Sequence, residues 1–167
     1  MKCQELLKKY VILSEAHLLS LRTVERSIKD IALEFKISEW NFTRTFFEEL
    51  QIPQAHDLAF KRIVELFQGD ILRIICRNVA HLKLDRVARH GHPEILMVEK
   101  VPPPTQEGYL GPLAVFGSRF EEKSDLLNTL GEHKSKFLHW VIDITDAQLQ
   151  IVSKDLELPN FPTGLSN

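Results

Sequence analysis

The first 52 residues contain neither proline nor glycine; the first proline is Pro53 and the first glycine Gly69. Such a stretch cannot be one long loop, and its serines and threonines suit the caps of helix ends. Leu6, Leu7, Tyr10, Val11, Leu13, Leu18, Leu21 and Val24 recur at three- and four-residue spacings. The pattern predicts several helices joined by short turns. A further helix is expected through AHDLAFKRIVELF, with Leu58, Ile63, Val64 and Phe67 on one side, ending at QGD.

After Gly69 the texture changes. ILRIICRNVAHLKL suits a strand and a buried helix equally. EILMVEKV, LAVFGSRF and FLHWVIDIT read as strands, the first two separated by PPPTQEGYLGP. EEKSDLLNTLGEHKSK suggests a short helix capped by Ser124 and stopped by Gly131. The expected fold is α+β: a helical, helix-turn-helix-like region over 1–68, a small α/β region with a mixed sheet over 69–158, and a flexible tail over 159–167.

Composition narrows the classes. At 44% hydrophobic and 26% charged, the chain has the balance of an ordinary soluble protein. Its apolar runs fall far short of the roughly 18 residues of a membrane span, and MKCQELLKKYVIL lacks the apolar core of a secretory leader. A cytoplasmic protein with no membrane contact is expected. Cys3 and Cys76 form no CxxC pair and have no metal-ligand spacing, so neither a disulfide nor a zinc site is expected. Charge is uneven: residues 1–60 carry 8 basic and 9 acidic side chains, 61–92 carry 7 and 3, and 93–167 carry 6 and 11. A positive patch in the middle suits a polyanion within a Debye length of about 8–10 Å, and suits a solvated helix face equally.

SIKDIALEFKISEWNFTRTFFEELQIP has the makings of a helix-turn-helix. Ser27 would cap a helix over 28–35, with Ile31 and Phe35 facing inward, Ala32 at the close approach and Ile37 closing the turn. Ser38 would cap a second helix over 39–50, where Phe42, Phe46 and Leu50 repeat every fourth residue. On Phe42, Arg44, Phe46 and Pro53 the stretch resembles a DNA-binding half of the AraC-type regulators, over about 26 of the 167 residues. Where that family carries glycine in both turns this chain has Lys36 and Gln51, and no second copy of the motif follows.

The resemblance implies a regulator that reads double-stranded DNA. Its expected contacts are Lys36, Ser38, Glu39, Asn41, Thr43 and Arg44, with Lys29, Lys61, Arg62, Arg73 and Arg77 as auxiliary phosphate contacts. The unit itself has 3 basic and 5 acidic residues, so it would need those auxiliary cations or a second copy in a homodimer. The alternative is a protein-binding adaptor or assembly factor with no nucleic-acid contact.

No catalytic pattern competes. His90, His92 and Glu94 alternate as metal ligands do, but His81, His133 and His139 supply no third ligand at useful spacing. Ser118 lacks the flanking pattern of a nucleophile, Gly108, Gly111 and Gly117 form no phosphate loop, and Asp143 with Asp146 suits a loop pair better than an acid pair. No metal or cofactor is expected, and nothing names an enzymatic reaction. Trp40 is expected to anchor its helix on the core, with an exposed aromatic for a partner as the alternative.

Overall fold

Ile31, Leu33, Phe35 and Ile37 alternate with Ala32, Glu34 and Lys36, and in the computed structural model this period of two prevails over the helical one. The structure describes residues 2–24, 27–87, 93–96, 113–145 and 147–165, with backbone alone at 27, 28, 86, 87 and 93–96. Helix α1 (Cys3–Tyr10) leads to strands β1 (His17–Val24) and β2 (Ser27–Lys36). A 3-10 turn (Glu39–Asn41), α2 (Arg44–Glu49) and α3 (His56–Phe67) follow. Then come β3 (Ile71–Val87), β4 (Pro93–Leu96), β5 (Leu113–Phe120), α4 (Asp125–Asn128), a second 3-10 segment (Gly131–Lys136), β6 (Leu138–Ile144) and β7 (Ala147–Glu157).

Among the described residues every strand pairing is antiparallel, and six strands close into a ring: β1–β2–β3–β7–β6–β5 and back to β1. β4 adds to the far end of β3. The β1–β5 seam is short, pairing His17 with Ala114 and Leu18 with Leu113. Two further bonds extend it, from Glu15 N–H to the Val115 carbonyl (2.7 Å) and from Val115 N–H to the Ala16 carbonyl (2.8 Å). The 17-residue β3 serves two neighbours, pairing with β2 through Cys76 and with β7 from Ile75 onward. It turns from one to the other near Asn78, which has φ 53° and donates its N–H to Asp30, followed by a bulge between Val79 and His81.

These findings correct the expected fold. Residues 28–35 are strand, and the second helix of the expected motif is reduced to a 3-10 turn and the six-residue α2. The helix-turn-helix does not form, the amino-terminal region is not a helical unit, and the sheet is antiparallel and dominant where a small mixed sheet was expected. Ile31 and Phe35, four apart, satisfy both periods, but Leu33 between them shares one face with both only in a strand. β2 also finds partners on both edges, so its backbone groups are satisfied by pairing.

The ring is filled by Leu18, Leu33, Phe35, Ile74, Trp140 and Ile151 among others, each at most 1% exposed. Burial of such side chains stabilises by about 1.5–3 kcal/mol each. Tyr10, Phe42, Phe46, Phe67 and Phe161 form an aromatic layer continuous with this filling. Lys36 pairs with both His17 and Ile71, so α1, α2 and α3 gather at one end of the ring. The boundary expected near residue 68 thus falls inside one cluster that runs from Leu7 to Leu156. Helix α3 stops where Gln68 turns left-handed (φ 57°) and the Gly69 N–H reaches the Val64 carbonyl at 2.9 Å. Beyond β7, Asn160 hydrogen-bonds the start of β3 and Phe161 joins the aromatic layer, so this part of the expected flexible tail is docked.

Candidate functional site

Residues 38–43 run back along residues 9–14 and are fastened to them. Asn41 is 2% exposed; its Nδ2 donates to the Ile12 and Ser14 carbonyls (both 3.1 Å), and its Oδ1 accepts from the Ser38 N–H (2.8 Å). Thr43 Oγ1 donates to the Lys9 carbonyl at 2.7 Å and accepts from the Phe46 N–H as the cap of α2. Phe42, stacked on Phe46 at 4.2 Å, anchors the segment from below. These bonds fix the 3-10 turn so that Trp40 points outward, 65% exposed, instead of into the core as expected. Trp140 lies in the core, with its indole N–H unpartnered.

Beside Trp40 lies a groove of about 470 Å³, walled by residues of the turn, of α2 and of the start of α3. Ile12, Phe42, Phe47 and Ala59 give it an apolar lining, and Glu39, Arg44, Gln54 and His56 contribute polar groups. The Glu39 side chain is only 10% exposed. His56 Nδ1 lies against its Oε1, while the His56 ring leans on Trp40 at 5.9 Å between centroids. Arg44 Nε donates to Glu48 at 2.8 Å on an exposed surface. Leu58 and Phe60, flanking Ala59 around α3, are also exposed.

The residues expected to read DNA are therefore dispersed in role. Ser38, Asn41 and Thr43 are spent on internal hydrogen bonds, and Glu39 on the groove wall. Lys36 and Arg44 are exposed. Of the auxiliary set, Arg62 pairs with Glu65, and Arg77 donates to Glu157 (3.0 Å) and Asp30 (3.1 Å). Those two carboxylates, Glu157 foremost, raise the Arg77 pKa. Arg73 lies on β3 opposite Glu34, Lys61 is exposed on α3, and Lys29 is exposed on β2. The positive middle of the sequence is thus spread over elements where several of its charges meet carboxylates. No family model, curated protein or solved structure matches this chain.

A second polar cluster covers the outer face of β6 and β7. Ser124, the cap of α4, lies 2.5 Å from His139 Nδ1, and His139 Nε2 lies 2.8 Å from Gln150 Oε1. Gln150 donates onward to Asp85 and Gln148, Gln148 to Asp143, and Arg119 pairs with Asp143 and Glu121. Gln150 Oε1 can only accept, so it takes a hydrogen bond from His139 Nε2–H, and His139 Nδ1 shares the other bond with the Ser124 hydroxyl. Ser124 and His139 are each 6% exposed and Ser124 also accepts from the Leu127 N–H, so the cluster fastens α4 to the sheet. The serine met by a histidine is thus Ser124, while Ser118 stands exposed on β5.

His90, His92 and Asp146 lie outside the described residues, as do Gly108 and Gly111, and of Glu94 only the backbone is described, in β4. His133 is exposed beside Glu132. Among the described residues no group of three His, Cys, Asp or Glu is placed to hold a metal, and no helix is long and apolar enough to cross a membrane. The groove was open to sequence reasoning in one respect. On the helix expected over 39–50, a residue two places before Phe42 falls on the face opposite the stripe Phe42, Phe46 and Leu50, a signal for an exposed Trp40 even though the turn that exposes it is 3-10.

Proposed function

We propose that this protein is a docking module: the ring of strands is the rigid scaffold, and the groove beside Trp40 holds a segment of another protein. The observation that carries the reading is Trp40, an indole 65% exposed at the edge of an apolar groove and held there by a fully hydrogen-bonded Asn41 next to it. An exposed tryptophan fixed by its backbone offers a large contact area at little entropic cost, and such residues dominate the energetics of protein interfaces. Ile12, 40% exposed, extends the apolar surface beside it. Arg44, Glu48, Gln54 and Asp57 supply the polar surroundings usual at an interface rim.

The test is selection from a displayed peptide library on the intact protein and on Trp40→Ala. Peptides enriched by the intact protein and lost on the variant are the expected result. Enrichment that survives Trp40→Ala unchanged would move docking away from the groove and overturn the reading.

A further inference from the structure

We propose that the groove recognises an arginine side chain of the docked segment, its guanidinium stacked on Trp40 and paired with Glu39, in the position that the His56 ring occupies in this structure. The inference rests on the docking reading and adds the chemistry of the anchor.

Glu39 sets the requirement. A carboxylate nine-tenths covered in a groove lined by Ile12, Phe42, Phe47 and Ala59 is poorly hydrated, and its Oε1 lies against His56 Nδ1. Such an oxygen calls for a cationic donor at close range. His56 meets the call incompletely. It is the first residue of α3, its side chain is 69% exposed, and it touches the Glu39 oxygen and leans on the Trp40 ring, tilted 38° to its own. An imidazole in that place is a planar N–H donor leaning on an indole and touching a carboxylate. The groove thus offers a place for a flat, nitrogen-bearing group between those two surfaces.

A guanidinium fits the same demands better. It is planar, remains charged, is weakly hydrated, stacks on aromatic faces and donates two parallel N–H groups to one carboxylate. The apolar floor suits the methylene stem that follows it. A lysine ammonium would pair with Glu39 but would not stack, and an acidic side chain would meet Glu39 as a like charge. Arg44, the groove's own guanidinium, is drawn off by Glu48 at 2.8 Å and is 83% exposed, which leaves Glu39 for an incoming cation.

The experiment is an NMR titration of the intact protein, following the two tryptophan indole N–H signals, with blocked pentapeptides of alanine that carry arginine, citrulline, lysine or norleucine at the centre. Trp40 reports the groove, and Trp140, buried in the ring, reports the fold. The arginine peptide is expected to shift the Trp40 signal saturably and to bind about tenfold more tightly than its neutral isostere with citrulline. Glu39→Gln is expected to remove about that factor for arginine and leave norleucine unchanged, with the Trp140 signal in place. His56→Ala, which removes the internal competitor, is expected to tighten arginine binding. If norleucine and arginine bind alike and Glu39→Gln changes neither, the anchor is apolar: the arginine proposal falls and docking stands. If no peptide shifts Trp40 in either the intact protein or His56→Ala, the proposal falls; if peptides selected from the library also ignore Trp40→Ala, the docking reading falls with it.

Discussion

Asn160 reaches back across 89 positions to Ile71, donating Nδ2–H to its carbonyl at 2.6 Å, while Oδ1 accepts the Arg73 N–H at 3.1 Å. One carboxamide thereby completes the backbone bonding at the start of β3 and brings Phe161 into the aromatic layer. Asn160→Ala leaves both backbone groups without this partner and is expected to destabilise the protein by about 1–3 kcal/mol. A lowered urea midpoint with an unchanged slope is the expected reading. An unchanged midpoint would mean that the tail contributes nothing to stability.

Asn41 and Arg44 offer a contrast between two residues that share the expectation of reading bases. Asn41→Ala removes a buried side chain that satisfies Ile12, Ser14 and Ser38, at an expected cost of about 2–4 kcal/mol. Arg44→Ala removes an exposed ion pair with Glu48 and is expected to stay within about 0.5 kcal/mol of the parent. Thermal or urea unfolding of the two variants decides the matter, since equal effects would contradict the fastened turn.

Cys76 lies wholly inside the ring, where burial pushes its thiol up from 9.0 to about 12, against a small opposing hydrogen bond with Ser153. It should resist thiol reagents at neutral pH until the protein unfolds, and Cys3, whose pKa is also raised chiefly by burial, should react slowly. The folded pKa exceeds the unfolded one, so above about 9 the unfolded chain sheds this proton first. The contribution to stability is then complete below about 9 and is lost as pH climbs towards about 12. Urea unfolding across that alkaline range should show a shallower decline in Cys76→Ala than in the parent.

Gln68 holds a left-handed backbone, φ 57°, at the end of α3. Glycine takes that conformation without the steric cost of a Cβ, so Gln68→Gly is expected to stabilise by about 1 kcal/mol. A fall in the unfolding midpoint would show that the Gln68 side chain contributes more than its exposure suggests.

The sequence was most legible where one signal stood alone. Helix α3 lies within the expected segment and LAVFGSRF forms β5, because an apolar stripe ended by QGD marks the first and strand-forming residues fill the second. Ser124 does cap a helix, although Gly131 begins the next turn of chain with φ 60°. The amino-terminal part was legible in its buried residues but not in their geometry. Leu18, Leu21, Ile31 and Phe35 are buried as a helical stripe requires, yet Leu33 is buried too, and that alternation belongs to a strand. The absence of glycine misled for a physical reason: Glu15 (φ 67°) and Gln51 (φ 54°) make turns with side chains that seldom adopt such angles. The strand Ala147–Glu157 begins with alternating glutamines and leucine or isoleucine, a short signal beside the longer apolar run of β6. The groove needed three separate stretches, around Ile12, Trp40 and His56, to be brought together, and no local pattern encodes that meeting.

The narrow seam between β1 and β5 has a consequence for biogenesis. It joins position 17 to position 114, so the partner of the earliest strand is made long after that strand leaves the ribosome. Non-local pairing of this kind slows folding, and until it forms β1 keeps one bare edge open to strands of other chains. Any product that ends before residue 113 lacks the closing partner altogether, which makes premature termination a source of sticky fragments and puts a premium on chaperones that shield that edge during synthesis.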